Sequence, residues 1–279
     1  REAFGNVRPP EVAPRMLIIL AGIRGGKTML SSAKVFECAL TCDVSGLSPG
    51  DILRIPLLSI DKRGARQAFA HLVGTINSRP HLRQHLAGEP TADTVQIRHQ
   101  SGRIVEITVT AMSAQGGTLV GNWLAGLVVD EAPRVAGQAD GVRNLDDSLH
   151  AVQGRMRPGS QIMLVGSPNI PFGPVFDLDQ KHFGKPDENV VVIRATGPLL
   201  NPVWWTPARC EWTRVNAPRS YVTDVLGKVT SGEADAGLVY VTDVRTAGEQ
   251  VKGIAFQESR QAVNTYPIAA LAGGKQADL

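Results

Sequence analysis

The sequence predicts an α/β fold, a parallel-rich sheet with helices on both faces and a small α/β fragment appended to it. Three observations predict it. Short apolar runs alternate with stretches of helical period up to residue 195, the pattern of strands joined by crossover helices. A glycine-rich turn connects the first run to the first helix, and a later run ends in two adjacent acids.

Residues 15–21 read as a buried strand, because they are continuously apolar and lie between prolines and glycines. Residues 27–42 continue as a helix. Residues 52–60 form a second apolar strand, followed over about 62–78 by a helix with Ala65, Ala68, Phe69, Leu72 and Ile76 on one face. Partial alternation predicts strands near 93–98 and 103–110, with Ser101-Gly102 as the hairpin turn. Leu127 to Asp130 is a short apolar strand. A helix near 143–154 and strands at 161–166 and 190–195 follow. Composition shifts near residue 225: every Trp, His and Cys lies before it, and Ala, Gly and Val dominate after it. The expected domains are therefore residues 1–225 and 226–279.

The 279 residues are 43 % hydrophobic and 20 % charged, ordinary values for a globular protein. The longest apolar run, Met16 to Ala21, is far too short to cross a bilayer, and no basic leader precedes it. No membrane span and no secretory signal are expected. The chain opens on Arg1 rather than Met, which reads as a fragment or a trimmed chain. Three cysteines (Cys38, Cys42, Cys210) show neither metal-ligand spacing nor a disulfide pattern. Cys38 and Cys42 lie four apart in a helix and read as buried free thiols, which fits a reducing, cytoplasmic compartment. Residues 226–279 carry five Lys/Arg and six Asp/Glu, leaving 24 against 20 before them. A mildly basic body permits nucleic-acid contact without demanding it.

The stretch Ala21-Gly-Ile-Arg-Gly-Gly-Lys-Thr28 follows a strand and opens a helix. Successive backbone N–H groups in such a turn, with the positive end of the helix, cradle phosphates. Glycines let the chain adopt positive φ and approach the phosphate oxygens. Lys27, read as an exposed loop lysine, would reach the β- and γ-phosphates, and the Thr28 hydroxyl would bind Mg²⁺. Ala21 stands where the motif's first glycine belongs.

Leu127-Val-Val-Asp-Glu131 supplies the complementary half. An acid at the carboxyl end of a buried strand projects into the crevice where open α/β sheets bind ligands. Asp130 would hold Mg²⁺, and Glu131 would orient and deprotonate the attacking water. Adjacent acids after a strand also serve as helix N-caps, here before Ala132-Pro133.

These two motifs resemble those of phage terminase large subunits, motors that package DNA into capsids. The arginine inside the phosphate loop adds to the likeness. Downstream, Ile162-Met-Leu-Val-Gly-Ser-Pro168 and Phe172-Gly-Pro-Val-Phe-Asp177 are similar to the family's coupling motif and the segment after it. Thr196-Gly-Pro-Leu-Leu-Asn-Pro202 and the stretch from Ala217 to Gly227 resemble those that close its ATPase domain. The resemblance spans about residues 10–227 and implies a P-loop NTPase fold. It implies ATP and Mg²⁺ as cofactors, with nucleotide contacts from Gly22, Arg24, Gly25, Gly26, Lys27 and Thr28. Thr28 and Asp130 would hold the metal, Glu131 and Lys27 would act in hydrolysis, and Ser167 would sense the γ-phosphate. Gly166-Ser-Pro168 also reads as a plain turn after a buried strand. The implied partners are double-stranded DNA, a terminase small subunit, a portal protein and further copies of the chain in a ring, in the host cytoplasm.

Two departures stand out. Many members carry an arginine just before the acidic strand as a trans-acting finger, where Leu119-Val-Gly121 has valine. Arg155 and Arg157 are the nearest replacements, or else ordinary surface charges. The family's two-metal nuclease domain is expected to be absent. A helicase-like DNA-dependent ATPase is the alternative motor: Gln153-Gly-Arg-Met-Arg157 is similar to a helicase arginine motif, but precedes the Gly166-Ser-Pro168 strand.

The segment from Val225 to Asp243, with Ala262-Val-Asn-Thr-Tyr-Pro-Ile268, resembles the C-terminal region of a periplasmic molybdate-binding protein of an ABC transporter. By that resemblance Tyr240 would help hold the oxyanion. A junction near 222–229 would make the C-terminus chimeric, and oxyanion binding is a second alternative function.

Overall fold

Apolar side chains alternate along the central strands and give the sheet two buried faces. The computed structural model describes residues 2–60, 62–112, 119, 121–135, 145–168, 173–185, 187, 189–216, 244–245 and 251–254. Contacts divide the chain into Arg1–Val239 and Tyr240–Leu279, and the fold described is that of the first unit. Its elements are β1 (Met16–Ala21), α1 (Lys27–Thr41), β2 (Leu53–Ser59), α2 (Lys62–Asn77), α3 (Pro80–Arg83), β3 (Thr94–Arg98), β4 (Ile104–Ala111) and β5 (Trp123–Leu124). They continue with β6 (Leu127–Asp130), α4 (Leu145–Gln153), β7 (Ile162–Gly166), α5 (Pro174–His182), β8 (Val190–Ala195), α6 (Gly197–Leu200) and α7 (Pro207–Asn216).

The eight strands run β3-β4-β2-β6-β7-β1-β8, with β5 beside β2. Every pairing is parallel except β3 with β4, the hairpin turned by Ser101 and Gly102. In β1, Ile19 and Ala21 face one core while Ile18 and Leu20 face the other; in β7, Met163 and Val165 oppose Ile162 and Leu164 likewise. α1 and α2 cover the first face, α2 through Ala65, Phe69, Leu72 and Ile76, and the fifth side chain its period predicts, Ala68, is buried as well. α4, through Leu145, Leu149 and Val152, and α5, through Val175, cover the second. Pro56 sits inside β2, where it can donate no ladder bond. On that side β2 pairs with β5 at Leu53 and Arg54 and with β6 at Leu57 and Leu58, so Pro56 falls in the gap between the two short strands.

Elements absent from the sequence reading (α3, β5, α5, α6 and α7) are mostly too short to display a period. Cys38 and Cys42 are buried free thiols, and burial pushes Cys42 up to about 11. Among the described residues no helix is long and apolar enough to cross a membrane. The expected fragment 226–279, including Tyr240, lies outside the described residues apart from 244–245 and 251–254, as do Val120, Phe172 and the stretch from Ala217 to Gly227.

Candidate active site

The strand order puts β7 between β1 and β6, with Leu20 opposite Gly166 and Asp130 opposite Val165. The carboxyl ends of all three strands therefore open on one crevice, as the carboxyl edge of an α/β sheet does. The crevice has a volume near 610 Å³, and Lys27, Thr28, Asp130, Glu131 and Ser167 all line it.

β1 delivers the chain to Gly22, and α1 begins at Lys27. The glycines between them serve two different needs. Gly26 takes φ 79°, which glycine tolerates without a Cβ penalty. Gly22 and Gly25 answer crowding instead: a Cβ on Gly22 would lie 2.8 Å from Gly197 N, and one on Gly25 3.0 Å from Gly22 O. The second left-handed residue of the turn is Arg24, at φ 61°. Positive φ thus accounts for only one of the three glycines.

Lys27 is half-buried rather than an exposed loop lysine. Its Nζ donates to Ala21 O at 2.9 Å, Gly22 O at 3.0 Å and Ser167 Oγ at 3.0 Å, which uses all three N–H groups. Burial lowers its pKa, and the nearby Glu131 and Asp130 charges oppose that shift. Burial raises the Asp130 pKa, and repulsion from Glu131 adds to the rise. Lys27 is thus a partly desolvated cation near a partly desolvated acid, Asp130.

Neither acid acts as a helix cap. Asp130 Oδ1 accepts the N–H of its own neighbour Glu131 at 3.1 Å. The 3-10 turn Ala132–Arg134 that follows has no side-chain cap. Glu131 takes left-handed φ 55° and ψ 30°, and Arg134 Nε lies 2.9 Å from its Oε2. The guanidinium N–H is not aimed at that oxygen, which accepts no hydrogen bond among the described residues.

The segment after β8 lies across the glycine turn between β1 and α1. Trp205 Nε1 donates to Ile23 O at 2.8 Å and Asn201 Nδ2 to Arg24 O at 2.9 Å. Gly197 allows this approach, since a Cβ there would fall 2.3 Å from Trp205 Nε1. The Arg24 and Arg209 guanidinium groups lie 5.3 and 3.9 Å from the Trp204 ring centroid. Trp205 and Arg134 escape the sequence reading, and Asn201 enters it only within the stretch Thr196–Pro202. Asn201 and Trp205 meet the loop across 177 and 182 residues, and Arg134 has no motif to mark it.

Arg155 and Arg157 are not at this crevice. They flank β5 and precede β7, at the amino-terminal edge of the sheet. Arg157 donates to the Asp43 and Ser45 carbonyls, lies over the Trp123 ring and is 13 % exposed. Arg155 donates to Ala151 O. Arg157 is occupied in holding the loop after α1.

Among the described residues no group of three or more His, Cys, Asp or Glu side chains could hold a metal ion. A hard divalent cation nevertheless fits. The Asp130 carboxyl is held toward its neutral form only by burial and a like charge, and a cation restores the charged form. Thr28 and Asp130 offer oxygen ligands, and Mg²⁺ ordinarily takes its remaining ligands from phosphates and water.

No family model matches the chain. Among solved structures, the large terminase ATPase domain of Thermus phage P74-26 superposes with a TM-score of 0.52 at 12 % identity, over 77 % of this chain and 90 % of that one. The chain has the P-loop NTPase fold. A large terminase from a thermophilic bacteriophage, solved with ADP, superposes with a TM-score of 0.50 at 15 % identity, over 72 % of this chain and 44 % of that one. Among curated proteins, the molybdate-binding protein ModA of Mycobacterium bovis and of Mycobacterium tuberculosis is 43 % identical over 77 residues, 28 % of this chain. The chain spans about a quarter of the length of those relatives, 24 %.

Proposed function

We propose that residues 1–225 are the ATPase domain of a DNA-packaging motor, coupling Mg-ATP hydrolysis to movement of double-stranded DNA into a phage capsid. The observation that carries the reading is the convergence of Lys27, Asp130, Glu131 and Ser167 on one crevice beside a backbone-lined phosphate loop. The likeness in fold to the Thermus phage ATPase domain supports the packaging role over other motors.

In this reading Gly22, Arg24, Gly25 and Gly26 shape the turn, so that its N–H groups and the start of α1 receive the phosphates. Lys27 exchanges its own loop carbonyls for β- and γ-phosphate oxygens. Thr28 and Asp130 hold Mg²⁺, which neutralises charge on the phosphates when bound. Glu131 takes the proton of the attacking water. Ser167, bonded to Lys27, registers the change at the terminal phosphate and passes it to β7. The active form is a ring of copies, working with a terminase small subunit and a portal protein in the host cytoplasm.

The deciding experiment is an ATPase assay with and without double-stranded DNA, on the full chain and on Lys27→Ala. Hydrolysis that DNA stimulates and Lys27→Ala abolishes is the expected result. Wild-type turnover in a folded Lys27→Ala protein would sink the assignment. Strand separation would favour the helicase-like alternative.

A specific observation favours a second reading, oxyanion binding by the C-terminal segment: the ModA identity, whose 77 residues are more than the 54 of residues 226–279. A chain matching 24 % of that protein shares few of the donors that enclose an oxyanion, and a dianion with missing donors is left unpaired in a drying site. Calorimetric titration is expected to show no molybdate binding, and micromolar affinity would shift the function to this segment.

A further inference from the structure

We propose that Arg134 is the positioning residue for Glu131, restraining one carboxylate oxygen so that the other faces the attacking water. The inference rests on the ATPase reading above. Arg134 Nε lies 2.9 Å from Glu131 Oε2, and the two side chains are 56 % and 36 % exposed. Oε2 is buried and accepts no hydrogen bond among the described residues. What restrains it is therefore the charge of the guanidinium rather than a directed N–H. Oε1 is left as the oxygen for a water in the crevice, which both residues line together with Lys27 and Ser167.

The backbone around the pair is built to keep it. A non-glycine residue in the left-handed region is strained and persists only where its surroundings over-determine it. Glu131 is such a residue, at φ 55°. Pro133, next in the turn, is pressed against the end of β7, where a Cβ on Gly166 would fall 2.3 Å from Pro133 Cδ. The turn is thus wedged on the strand that carries Ser167, and the three-residue spacing sets the Arg134 side chain beside the Glu131 carboxylate. Glu131 follows a second acid, Asp130, so Arg134 supplies a counter-charge beside a pair of adjacent carboxylates.

The consequence for hydrolysis is specific. The water oxygen forms the new bond to the terminal phosphorus, and the bond to the bridging oxygen breaks with its electron pair passing to the β-phosphate. The water proton goes to Glu131. A carboxylate that rotates freely presents an acceptor along that line only part of the time, whereas one tethered at Oε2 keeps Oε1 there. Arg134 touches neither water nor phosphate in this scheme and acts through Glu131.

The test measures single-turnover hydrolysis with double-stranded DNA, and affinity for a fluorescent ATP analogue, on the full chain. It compares wild type, Arg134→Ala, Arg134→Lys, Glu131→Gln and the double variant Glu131→Gln/Arg134→Ala. Arg134→Ala is expected to lower the hydrolysis rate about 10–100-fold, as a misplaced catalytic group does, with analogue affinity within about twofold. Arg134→Lys keeps a cation in reach and should recover part of the rate. In the Glu131→Gln background the alanine change should cost nothing further, because the group it positions is already gone. An unchanged rate in Arg134→Ala, or an equal loss in the Glu131→Gln background, would overturn the proposal. Should Arg134→Ala melt early, Arg134→Lys decides: at wild-type stability and analogue affinity, a lowered rate that costs nothing further in the Glu131→Gln background counts for the proposal, and an unchanged rate counts against it. A wild type whose hydrolysis survives Lys27→Ala overturns the ATPase reading itself, a result distinct from either.

Discussion

Lys27 Nζ lies 3.0 Å from Ser167 Oγ, and this bond joins the start of α1 to the end of β7, the strand between β1 and the acids of β6. The other two acceptors of the ammonium, Ala21 O and Gly22 O, are backbone carbonyls of its own loop. In the proposed function an incoming phosphate would displace at least one of the three. The Ser167 hydroxyl is the partner that can follow it, because a hydroxyl donates as well as accepts.

Ser167→Ala should therefore separate binding from hydrolysis. Affinity for an ATP analogue is expected to change by no more than about tenfold, the worth of one hydrogen bond. Hydrolysis should fall further than affinity does. Equal losses in the two measurements would leave Ser167 with a binding role alone.

Asp130 and Glu131 should respond differently to loss of charge. Glu131→Gln keeps the side-chain shape and removes the proton acceptor, so nucleotide and Mg²⁺ binding should survive while hydrolysis is lost. Asp130→Asn should weaken Mg²⁺-dependent binding. Identical defects in the two variants would argue against separate roles.

The raised Asp130 pKa also makes a stability prediction with a definite sign. A carboxyl whose pKa is higher folded than unfolded binds its proton more tightly in the folded state. Folding stability then falls as pH rises from about 3.9, the ordinary Asp value, through the folded one. Without nucleotide or Mg²⁺, Asp130→Asn should melt above wild type at pH 7, with the gap closing on acidification to about pH 4. Added Mg²⁺ should narrow it at pH 7. A gap that does not depend on pH would assign the effect to packing.

Arg157→Ala should lower the melting temperature and leave DNA stimulation intact. The guanidinium ties the loop at Asp43 and Ser45 to the strand edge at Trp123. Its removal leaves carbonyls short of a charged donor, at a cost of about 1–3 kcal/mol. Loss of stimulation with unchanged stability would restore Arg157 as a trans-acting finger.

Gly197→Ala should act on the phosphate loop from outside it. The added Cβ would displace Trp205, whose indole N–H holds Ile23 O. Weaker analogue binding and altered tryptophan emission are the expected results. Wild-type values in both would mean that the segment rests on the loop without shaping it.

The chain's own pattern carried most of the architecture. Residues 15–21, 52–60 and 161–166 read as strands because burial on both faces requires continuous apolar runs, and Met16–Ala21, Leu53–Ser59 and Ile162–Gly166 are those strands. Ala65, Ala68, Phe69, Leu72 and Ile76 read as one face because a helix repeats every few residues, and all five are buried. Such signals depend on near neighbours, and so does the step from strand to glycine turn to Lys27. Tertiary structure alone decided that β7 lies between β1 and β6, which sets Ser167 against Lys27 across 140 residues. It alone brought Trp205 onto the phosphate loop, drew Lys27 inward and tied Arg157 to Asp43 and Ser45. These contacts join residues distant in the chain, and their energies come from burial and hydrogen bonds that no local period encodes.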